Sequence, residues 1–263
     1  GVVDIVAVAS GKGGVGKSTV AANLALVLAG KGLNVGLLDA DIYGPSQSHM
    51  MGVMDMKSEL SGKRLMPVMA HDVKCMSMGF VMSLNTPTIW RGPMASRALQ
   101  QLLSGTDWGN LDILLVDMPP GTGDIQLTLS QRVPLSGAVI VTTPQDIALL
   151  DARKAMEMFA KVKVPTLGIV ENMSSHICPS CGYEEAIFGS DGGKRIAVEY
   201  GTKVLAQLPL SLSIRRQSDE GVPTVISDPD SPASQAMHLA AESLIESLKS
   251  SVSNTPEIDI IDD

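Results

Sequence analysis

The sequence predicts an α/β protein in which a doubly wound, mainly parallel sheet is flanked by helices. Short apolar runs recur along most of the chain, and stretches with helical periodicity separate them. A strand of a parallel sheet is apolar along its length because helices cover both faces of the sheet. The regular alternation of such strands with helices is typical of consecutive βαβ units.

The predicted elements follow one another from the N-terminus. Six apolar runs predict strands at Ile5–Ala9, Val35–Leu38, Ile113–Val116, Ala138–Val141, Leu167–Val170 and Val204–Ala206. The intervening pattern predicts helices that include Ser18–Leu28, which Gly30 and Gly32 end, Asp151–Val162 and a C-terminal helix at Pro232–Leu248. Strands and helices thus alternate along the chain except in residues 44–87.

The domain organisation is predicted to be simple. Residues 1–250 form one domain, and residues 44–87, which are rich in Met, Ser and Gly, form an irregular insertion on it. A loop near residues 176–183 carries two cysteines. The last residues, 251–263, are polar and acidic and are predicted to be a disordered tail.

Composition limits the partners and the compartment. The formal net charge is -8 and the pI is about 5.0, which argues against a nucleic acid or an anionic membrane as partner. No apolar run reaches the roughly 18 residues of a membrane span, and the first residues do not resemble a signal peptide. We therefore expect a bacterial cytoplasmic protein. The chain does not begin with Met, so an organelle matrix, reached through a trimmed transit peptide, is the alternative.

A phosphate-binding loop is the clearest motif. Gly11, Gly16, Lys17 and Ser18 match the pattern G-x-x-x-x-G-K-S between a predicted strand and a predicted helix. Glycines allow backbone N–H groups to converge on phosphate oxygens, and the helix directs its positive end to the same anion. Lys17 adds a charge at the β- and γ-phosphates, and the Ser18 hydroxyl is placed to bind Mg²⁺.

Acidic residues end two of the predicted strands. Asp117 follows one strand in "ILLVDMPPGTGD", where Mg²⁺ and its water shell need a carboxylate, and the amide of Gly121 is placed to reach the γ-phosphate. Asp39 and Asp41 follow another strand in "LLDADIYGPS", on the same side of an extended chain. We expect Asp39 to order the Mg²⁺ sphere and Asp41 to position the attacking water. Their alternative role is that of turn-forming or capping acids.

These motifs resemble those of a known family. "KGGVGKST" is similar to the deviant Walker A motif of the MinD, ParA and nitrogenase iron protein class, and so to a SIMIBI-type P-loop NTPase fold. Together with "DADIYGPS", "MSMGF", "WRGPM", "DMPPGTGDIQLTL", "TTPQDIAL", "ENMS" and "CPSCG", it resembles the Mrp/ApbC family of iron–sulfur cluster carrier ATPases. The resemblance runs from about Val2 to Ser227, which is nearly the whole chain.

The resemblance implies how the nucleotide is bound. Lys12 would reach across a homodimer interface to the partner's phosphates, where a cation stabilises the charge of the transferring phosphoryl group. Asn172, after a predicted strand, would contact adenine, so that ATP rather than GTP is bound. The implied nucleotide-binding residues are Gly11, Lys12, Gly13, Gly14, Val15, Gly16, Lys17, Ser18, Thr19 and Asn172. The implied catalytic residues are Lys12, Lys17, Asp41 and Asp117.

Two cysteines, Cys178 and Cys181, form a C-x-x-C pair, which cannot fill a tetrahedral metal site alone. Three arrangements are open. His176 and a further ligand within the chain complete the site, the pair is instead a dithiol redox couple, or two chains each contribute a pair. The resemblance implies the third arrangement, with a [4Fe–4S] cluster bridging a homodimer. Structural zinc in the same four-thiolate site is the competitor.

The function implied is that of a slow ATPase that carries or assembles iron–sulfur clusters and passes them to apo-proteins. One alternative is a MinD- or ParA-like positioning ATPase, and another is a nucleotide-dependent scaffold with a bridging zinc.

Cys75 is predicted to be a small buried apolar residue, and core packing is expected for Met76, Met78 and Phe80. Arg91 faces either a partner protein or solvent.

Overall fold

The computed structural model describes residues 1–82, 92–178 and 180–252. Its strands are β1 (Val2–Ala9), β2 (Val35–Asp39), β3 (Leu60–Ser61), β4 (Arg64–Leu65), β5 (Val68–Ala70), β6 (Val73–Met76), β7 (Leu111–Asp117), β8 (Gly137–Thr142), β9 (Thr166–Glu171), β10 (His176–Ile177), β11 (Glu184–Glu185) and β12 (Val204–Gln207). Its helices are α1 (Lys17–Gly30), α2 (Gln47–Met50), α3 (Met78–Val81), α4 (Gly92–Gly105), α5 (Asp124–Arg132), α6 (Asp146–Lys161), α7 (Gly192–Glu199), α8 (Leu212–Asp219), α9 (Thr224–Ser227) and α10 (Pro232–Val252).

The main sheet has eight strands in the order β12-β9-β8-β1-β7-β2-β6-β5. All neighbours are parallel except β5, which pairs antiparallel with β6 at one edge. The chain begins at the central strand β1, runs outward to β2, β5 and β6, and returns to β7 between β1 and β2. It then runs outward on the other side through β8, β9 and β12, so the predicted doubly wound sheet is confirmed. Because the strands are parallel, the loops after β1, β2, β7 and β9 gather at one edge of the sheet.

All six predicted strands are present, each longer by one to three residues than its apolar run. Helix α1 and helix α10 also match their predictions, whereas α6 begins at Asp146 and not at Asp151. The first turn of α6 was missed because Ile147 and Leu150 are exposed by 62% and 53%. Two apolar residues on the solvent side hide the amphipathic pattern there.

The segment predicted as an irregular insertion contributes two strands to the main sheet. β6 lies parallel to β2, and a tight turn at His71 and Asp72 leads into it from β5. Both turn residues have positive φ angles, 49° and 64°, as a two-residue hairpin turn requires. Neither is glycine, so the sequence lacked the usual hairpin signal. Positions 83–87 and Arg91 lie outside the described residues.

The residues predicted to pack in the core of this segment do so. Met76, Met78 and Phe80 are buried, and so is Cys75, whose partner across the β2 ladder is Leu37. Burial raises the pKa of the Cys75 thiol to about 12, so that this thiol stays protonated. Cys75 is therefore a small apolar core residue.

At the C-terminus, α10 packs against α1, β9 and β12 and continues to Val252. The rest of the predicted tail, from residue 253, lies outside the described residues. No helix within the described ranges is both long enough and apolar enough to cross a lipid bilayer.

Candidate functional site

The phosphate-binding loop connects the end of β1 to the start of α1. Gly14 and Gly16 have φ angles of 83° and 82°, which favour glycine. A Cβ on Gly16 would lie 2.2 Å from Asn172 Nδ2, and one on Gly11 would lie 2.0 Å from the carbonyl oxygen of Asp151 in α6. The glycines at 11 and 16 are thus needed for close packing, and the glycine at 14 for the turn itself.

Three predicted phosphate- and Mg²⁺-binding residues meet at this loop. Lys17 is buried, and its Nζ pairs with the carboxylate of Asp117 and lies 3.3 Å from Ser18 Oγ. Asp117 ends β7 and is fully buried. A lysine, a hydroxyl and a carboxylate are therefore held together at the edge of the sheet where the positive end of α1 also lies.

A second buried carboxylate lies beside Asp117. Asp39 ends β2 in register with Asp117, and it is 1% exposed. Its Oδ2 accepts hydrogen bonds from the Ser46 amide at 2.8 Å, the Gln47 amide at 3.0 Å and Ser77 Oγ at 3.2 Å. Burial and, next, the charge of Asp117 raise the pKa of Asp39 to about 7. Two carboxylates in one dry site are the oxygen ligands that a hard divalent cation prefers.

The two other residues predicted near the γ-phosphate have different surroundings. Asp41 is half-buried, and its Oδ1 accepts a hydrogen bond from the Gly44 amide at 3.2 Å. The Gly121 amide donates to the Ser10 carbonyl at 3.0 Å, so in this structure it binds the phosphate loop. Asp41 thus remains accessible, whereas Gly121 is already engaged.

Gln47, at the start of α2, was not predicted as a site residue. It is 1% exposed, and its Nε2 donates to Asp117 Oδ2 at 2.8 Å and to the Ser18 carbonyl at 2.9 Å. No periodicity or motif marks it in the sequence. The only signal is a lone glutamine directly after "DADIYGPS", and its role depends on contacts that form only when β2, β7 and α1 converge.

Lys12 lies half-buried in the phosphate loop. Its carbonyl accepts a hydrogen bond from Ser10 Oγ at 2.8 Å, which shapes the loop. Its ammonium group forms no ion pair with the residues that the structure describes. A lysine without an ion pair among these residues is available to contact an anion presented from outside.

Asn172 follows β9 and contacts the phosphate loop directly. Its Nδ2 donates to the Val15 carbonyl at 2.9 Å, and its Oδ1 accepts from the Met173 amide at 2.9 Å. A cavity of about 20 Å³ lies beside it, lined in part by Thr19 and Leu208. That volume suits one water molecule. The predicted adenine contact therefore requires the Asn172 amide to exchange its present partners.

The residue before Asn172 is a buried acid that sequence analysis did not single out. Glu171 is fully buried, and its carboxylate accepts hydrogen bonds from Gln207 Nε2 at 2.6 Å and from the Gly193 amide in the first turn of α7. A carboxylate there is favoured by the positive end of that helix. Glu171 thus anchors α7 to the end of β9. An acid ending an apolar strand is the signal that could have found it.

The two cysteines lie in a small hairpin formed by β10 and β11. Cys178 is half-buried and Cys181 is exposed. The Cys178 amide donates to the Tyr183 carbonyl at 2.9 Å, and the Gly182 amide donates to the Cys178 carbonyl at 2.9 Å. Hydrogen bonds from the Ser180 and Cys181 backbone amides lower the pKa of the Cys178 thiol, which favours a thiolate.

His176 does not complete a metal site with these cysteines. Its Nδ1 lies 3.1 Å from the Leu210 carbonyl. Among the residues that the structure describes, no group of three His, Cys, Asp or Glu side chains is arranged to hold a metal ion. The completion by His176 within one chain is therefore not supported, and the two thiols remain wholly or partly open to solvent.

A short segment joins the phosphate loop to the cysteine hairpin. Only five residues separate Asn172 from Cys178. The Ser174 amide and Oγ donate to the Leu208 carbonyl at 2.9 and 3.0 Å, and the Leu210 amide donates to the Ser175 carbonyl at 2.7 Å. The segment is thus held along its length by residues 208–210.

The chain resembles a known family over most of its length. A ParA-group model described as NUBPL iron-transfer P-loop NTPase matches residues 1–245. The iron-sulfur cluster carrier protein of Pseudomonas fragi is 60% identical over 233 residues, which are 88% of this chain and 81% of that protein. An Arabidopsis thaliana protein named iron-sulfur protein required for NADH dehydrogenase, mitochondrial, is 53% identical over 95% of this chain and 80% of its own length. The chain spans 63% to 81% of the length of its bacterial relatives.

Solved structures share the fold. A nucleotide-binding protein of Archaeoglobus fulgidus, in complex with ADP, has a TM-score of 0.75 and 39% identity, with 84% of this chain and 87% of that chain covered. The cell division ATPase MinD of Pyrococcus furiosus has a TM-score of 0.69 and 23% identity, over 92% of this chain and 98% of its own. The second likeness concerns the fold alone.

Proposed function

The chain belongs to the family of NUBPL iron-transfer P-loop NTPases, and from that premise we propose that it is an ATP-hydrolysing iron–sulfur cluster carrier. One observation carries the proposal. One chain holds both a buried phosphate site with two carboxylates and an accessible pair of thiols. Only five residues lie between Asn172, which contacts the phosphate loop, and Cys178. A simple nucleotide switch has no use for the thiols, and a simple metal-binding protein has no use for the phosphate site.

In the proposed reaction, Lys17 and the amides of the phosphate loop hold the ATP phosphates. The residues fit Mg²⁺, since Ser18, Asp39 and Asp117 supply oxygen atoms in a buried site. Mg²⁺, when bound, neutralises charge on the transferring phosphoryl group. Ser18 and Asp117 would hold the ion, Asp117 through water, and Asp39 would order its surroundings.

Asp41 and Lys12 complete hydrolysis in this proposal. Asp41 is half-buried, and the Gly44 amide donates to one of its carboxylate oxygens, so the other oxygen can orient the attacking water. Lys12 supplies a cation to the nucleotide of a second copy of the chain. A cation provided by the partner links the nucleotide state to the geometry of the homodimer. Turnover is expected to be slow, since each site waits for its partner.

Asn172 is proposed to contact the adenine base. Its amide carries both a donor and an acceptor, as adenine recognition requires. It now bonds the Val15 carbonyl and the Met173 amide. Base binding would therefore exchange a bond between Asn172 and the phosphate loop for a bond to ATP.

The cluster is the cargo. Cys178 and Cys181 supply two thiolates, and the same pair from a second copy makes the four that a [4Fe–4S] cluster needs. The exposure of Cys181 suits both sharing between copies and release to an apo-protein client. A bridging zinc, in a nucleotide-dependent scaffold, would use the same four thiolates and is the second candidate.

Hydrolysis is proposed to switch the dimer between holding and releasing the cluster. The segment from Asn172 to Cys178 is the shortest covalent path between the two sites. Cluster transfer from Lys17→Ala to an apo-protein should therefore be lost or strongly slowed. Transfer at the wild-type rate would contradict the coupling while leaving the cluster site intact.

The net charge and the named relatives support a proposal for the partners and the compartment. The formal net charge of -8 disfavours DNA and anionic lipid, which a MinD- or ParA-like positioning ATPase would bind. We propose the bacterial cytoplasm, with an organelle matrix as the alternative because a relative is named as mitochondrial. Binding to DNA or to anionic vesicles would favour the positioning role.

Anaerobic reconstitution with iron and sulfide tests the cargo. Wild type should form a brown dimer with about four irons per two chains. Cys178→Ala/Cys181→Ala should bind no iron, whereas Cys75→Ala, which removes the buried cysteine, should bind as much as wild type. A colourless wild type that retains zinc would overturn the carrier role in favour of the scaffold.

A further inference from the structure

Gln47 has no role in the function proposed so far, yet it lies inside the phosphate site. Its Nε2 is 2.8 Å from Asp117 Oδ2 and 2.9 Å from the Ser18 carbonyl oxygen. Both partners are acceptors, which fixes the orientation of the amide, because a flipped amide would put Oε1 against a carboxylate. The side chain thus bridges β7 and α1 through one NH₂ group.

The other half of the same amide is unusual. Gln47 is 1% exposed, and its Oε1 has no hydrogen-bond partner among the described residues. A buried acceptor without a partner costs free energy, and such groups are rare in folded proteins. The oxygen lies on the amide group that contacts Asp117, so it is within a few ångströms of the carboxylates proposed to hold Mg²⁺. A donor brought by the ligand would satisfy it.

The hydrogen bond from Gln47 to Asp117 would matter most for the orientation of Asp117 when ATP binds. Asp117 now has two partners, Lys17 on Oδ1 and Gln47 on Oδ2. Contact between Lys17 and the phosphates would remove the first partner. Gln47 would then be the remaining side chain that fixes the direction of the Asp117 carboxylate next to Asp39.

We propose that Gln47 is a positioning residue of the Mg²⁺–nucleotide site. Its Nε2 keeps Asp117 in place when Lys17 turns to the phosphates, and its Oε1 accepts a hydrogen bond from a water molecule bound to Mg²⁺. This inference rests on the proposed binding of ATP. It adds to the carboxylates and the serine a neutral side chain that acts through Asp117 and through water.

Mg²⁺ titration of the binding of a fluorescent ATP analogue tests the proposal. Gln47→Met keeps the volume of the side chain and removes the amide. Its apparent Mg²⁺ dissociation constant should rise about tenfold, the lower end of the effect of outer-shell substitutions. Binding of the analogue in EDTA should stay within about twofold of wild type, because Gln47 bonds the Ser18 carbonyl oxygen and the Asp117 carboxylate, neither of which binds phosphate directly.

The controls separate a positioning role from a structural one. Gln101→Met, on the exposed side of α4, should behave as wild type. An equal loss of binding with and without Mg²⁺ would mean that Gln47 is only structural, and an unchanged Mg²⁺ constant would also overturn the proposal. If Gln47→Met does not fold, Gln47→Asn, which withdraws the amide by one methylene, should weaken Mg²⁺ in the same selective way. A wild type that binds no nucleotide would overturn the ATPase function itself, which is a distinguishable result.

Discussion

The phosphate site and the cysteine hairpin are built in opposite ways. At the phosphate site, Lys17, Asp39 and Asp117 are at most 6% exposed and are paired or hydrogen-bonded within the chain. The hairpin has strands of two residues each, and its ligands, Cys178 and Cys181, are half-buried and exposed. The first site is buried and its charged groups are bonded to one another within the chain, whereas the second places two thiols at or near the surface.

The difference fits what each site has to do. A phosphate site gains from a fixed, dry arrangement, because preorganised charges act more strongly there than in water. The proposed sharing of a cluster between two copies, and its release, would require the thiols to lie at the surface, where they can contribute little to the stability of one chain. We therefore expect substitutions at the first site to affect both folding and function, and substitutions at the second to affect function alone.

Lys17→Ala should have the largest effect on the stability of the nucleotide-free protein. It leaves Asp117 buried without its cation, next to Asp39, and breaking a buried ion pair in this way costs roughly 3 kcal/mol. Urea unfolding measures the loss. Lys154→Ala is the matched control, because its pair with Asp151 is 3.0 Å long but lies at the surface. An exposed pair contributes at most about 1 kcal/mol, so similar losses in both variants would contradict the prebuilt site.

The glycines of the phosphate loop should have the next largest effects. Gly14 and Gly16 have nearly equal φ angles, but only at Gly16 would a Cβ meet another residue, Asn172 Nδ2 at 2.2 Å. Gly14→Ala should cost about 1 kcal/mol for the backbone conformation alone. Gly16→Ala should cost roughly twice that, since it also displaces Asn172. Equal losses in urea unfolding would mean that the contact between Asn172 and the loop is dispensable.

Sequence predicted the parts of this comparison that local pattern determines. Continuous apolar runs identified the six central strands, and the spacing of Lys17 and Ser18 identified the phosphate loop. The strand ends placed Asp39 and Asp117 next to each other because parallel strands end at the same edge. The role of Gln47 could not be predicted, because no local sequence pattern distinguishes a glutamine buried between two elements from an exposed glutamine. The turn at His71 and Asp72 was missed because it contains no glycine, although His and Asp are among the residues that tolerate a positive φ.

Asn172→Ala should have a moderate effect on stability. It removes the donor to the Val15 carbonyl and the acceptor for the Met173 amide, and the net value of such a bond is about 1 kcal/mol. Since the same residue begins the segment that leads to Cys178, the alkylation rate of the hairpin thiols should also cease to respond to added ATP. Wild type should show a response, so a variant that binds ATP and keeps the wild-type response would contradict this path between the sites.

The smallest effect on stability should come from Cys178→Ala/Cys181→Ala. Cys178 is half-buried and Cys181 is exposed, and both lie in a two-stranded hairpin outside the main sheet. Surface substitutions of this kind usually change the free energy of unfolding by less than about 0.5 kcal/mol. The same variant should lose all cluster binding, so that the largest functional change coincides with the smallest change in folding. A loss of more than about 2 kcal/mol in metal-free urea unfolding would show that the hairpin supports the fold of the single chain. That result would contradict the comparison between a buried phosphate site and a surface site that a second copy is proposed to complete. If stability is unchanged and iron binding is lost, the cysteines bind the proposed cluster and do not stabilise the single chain.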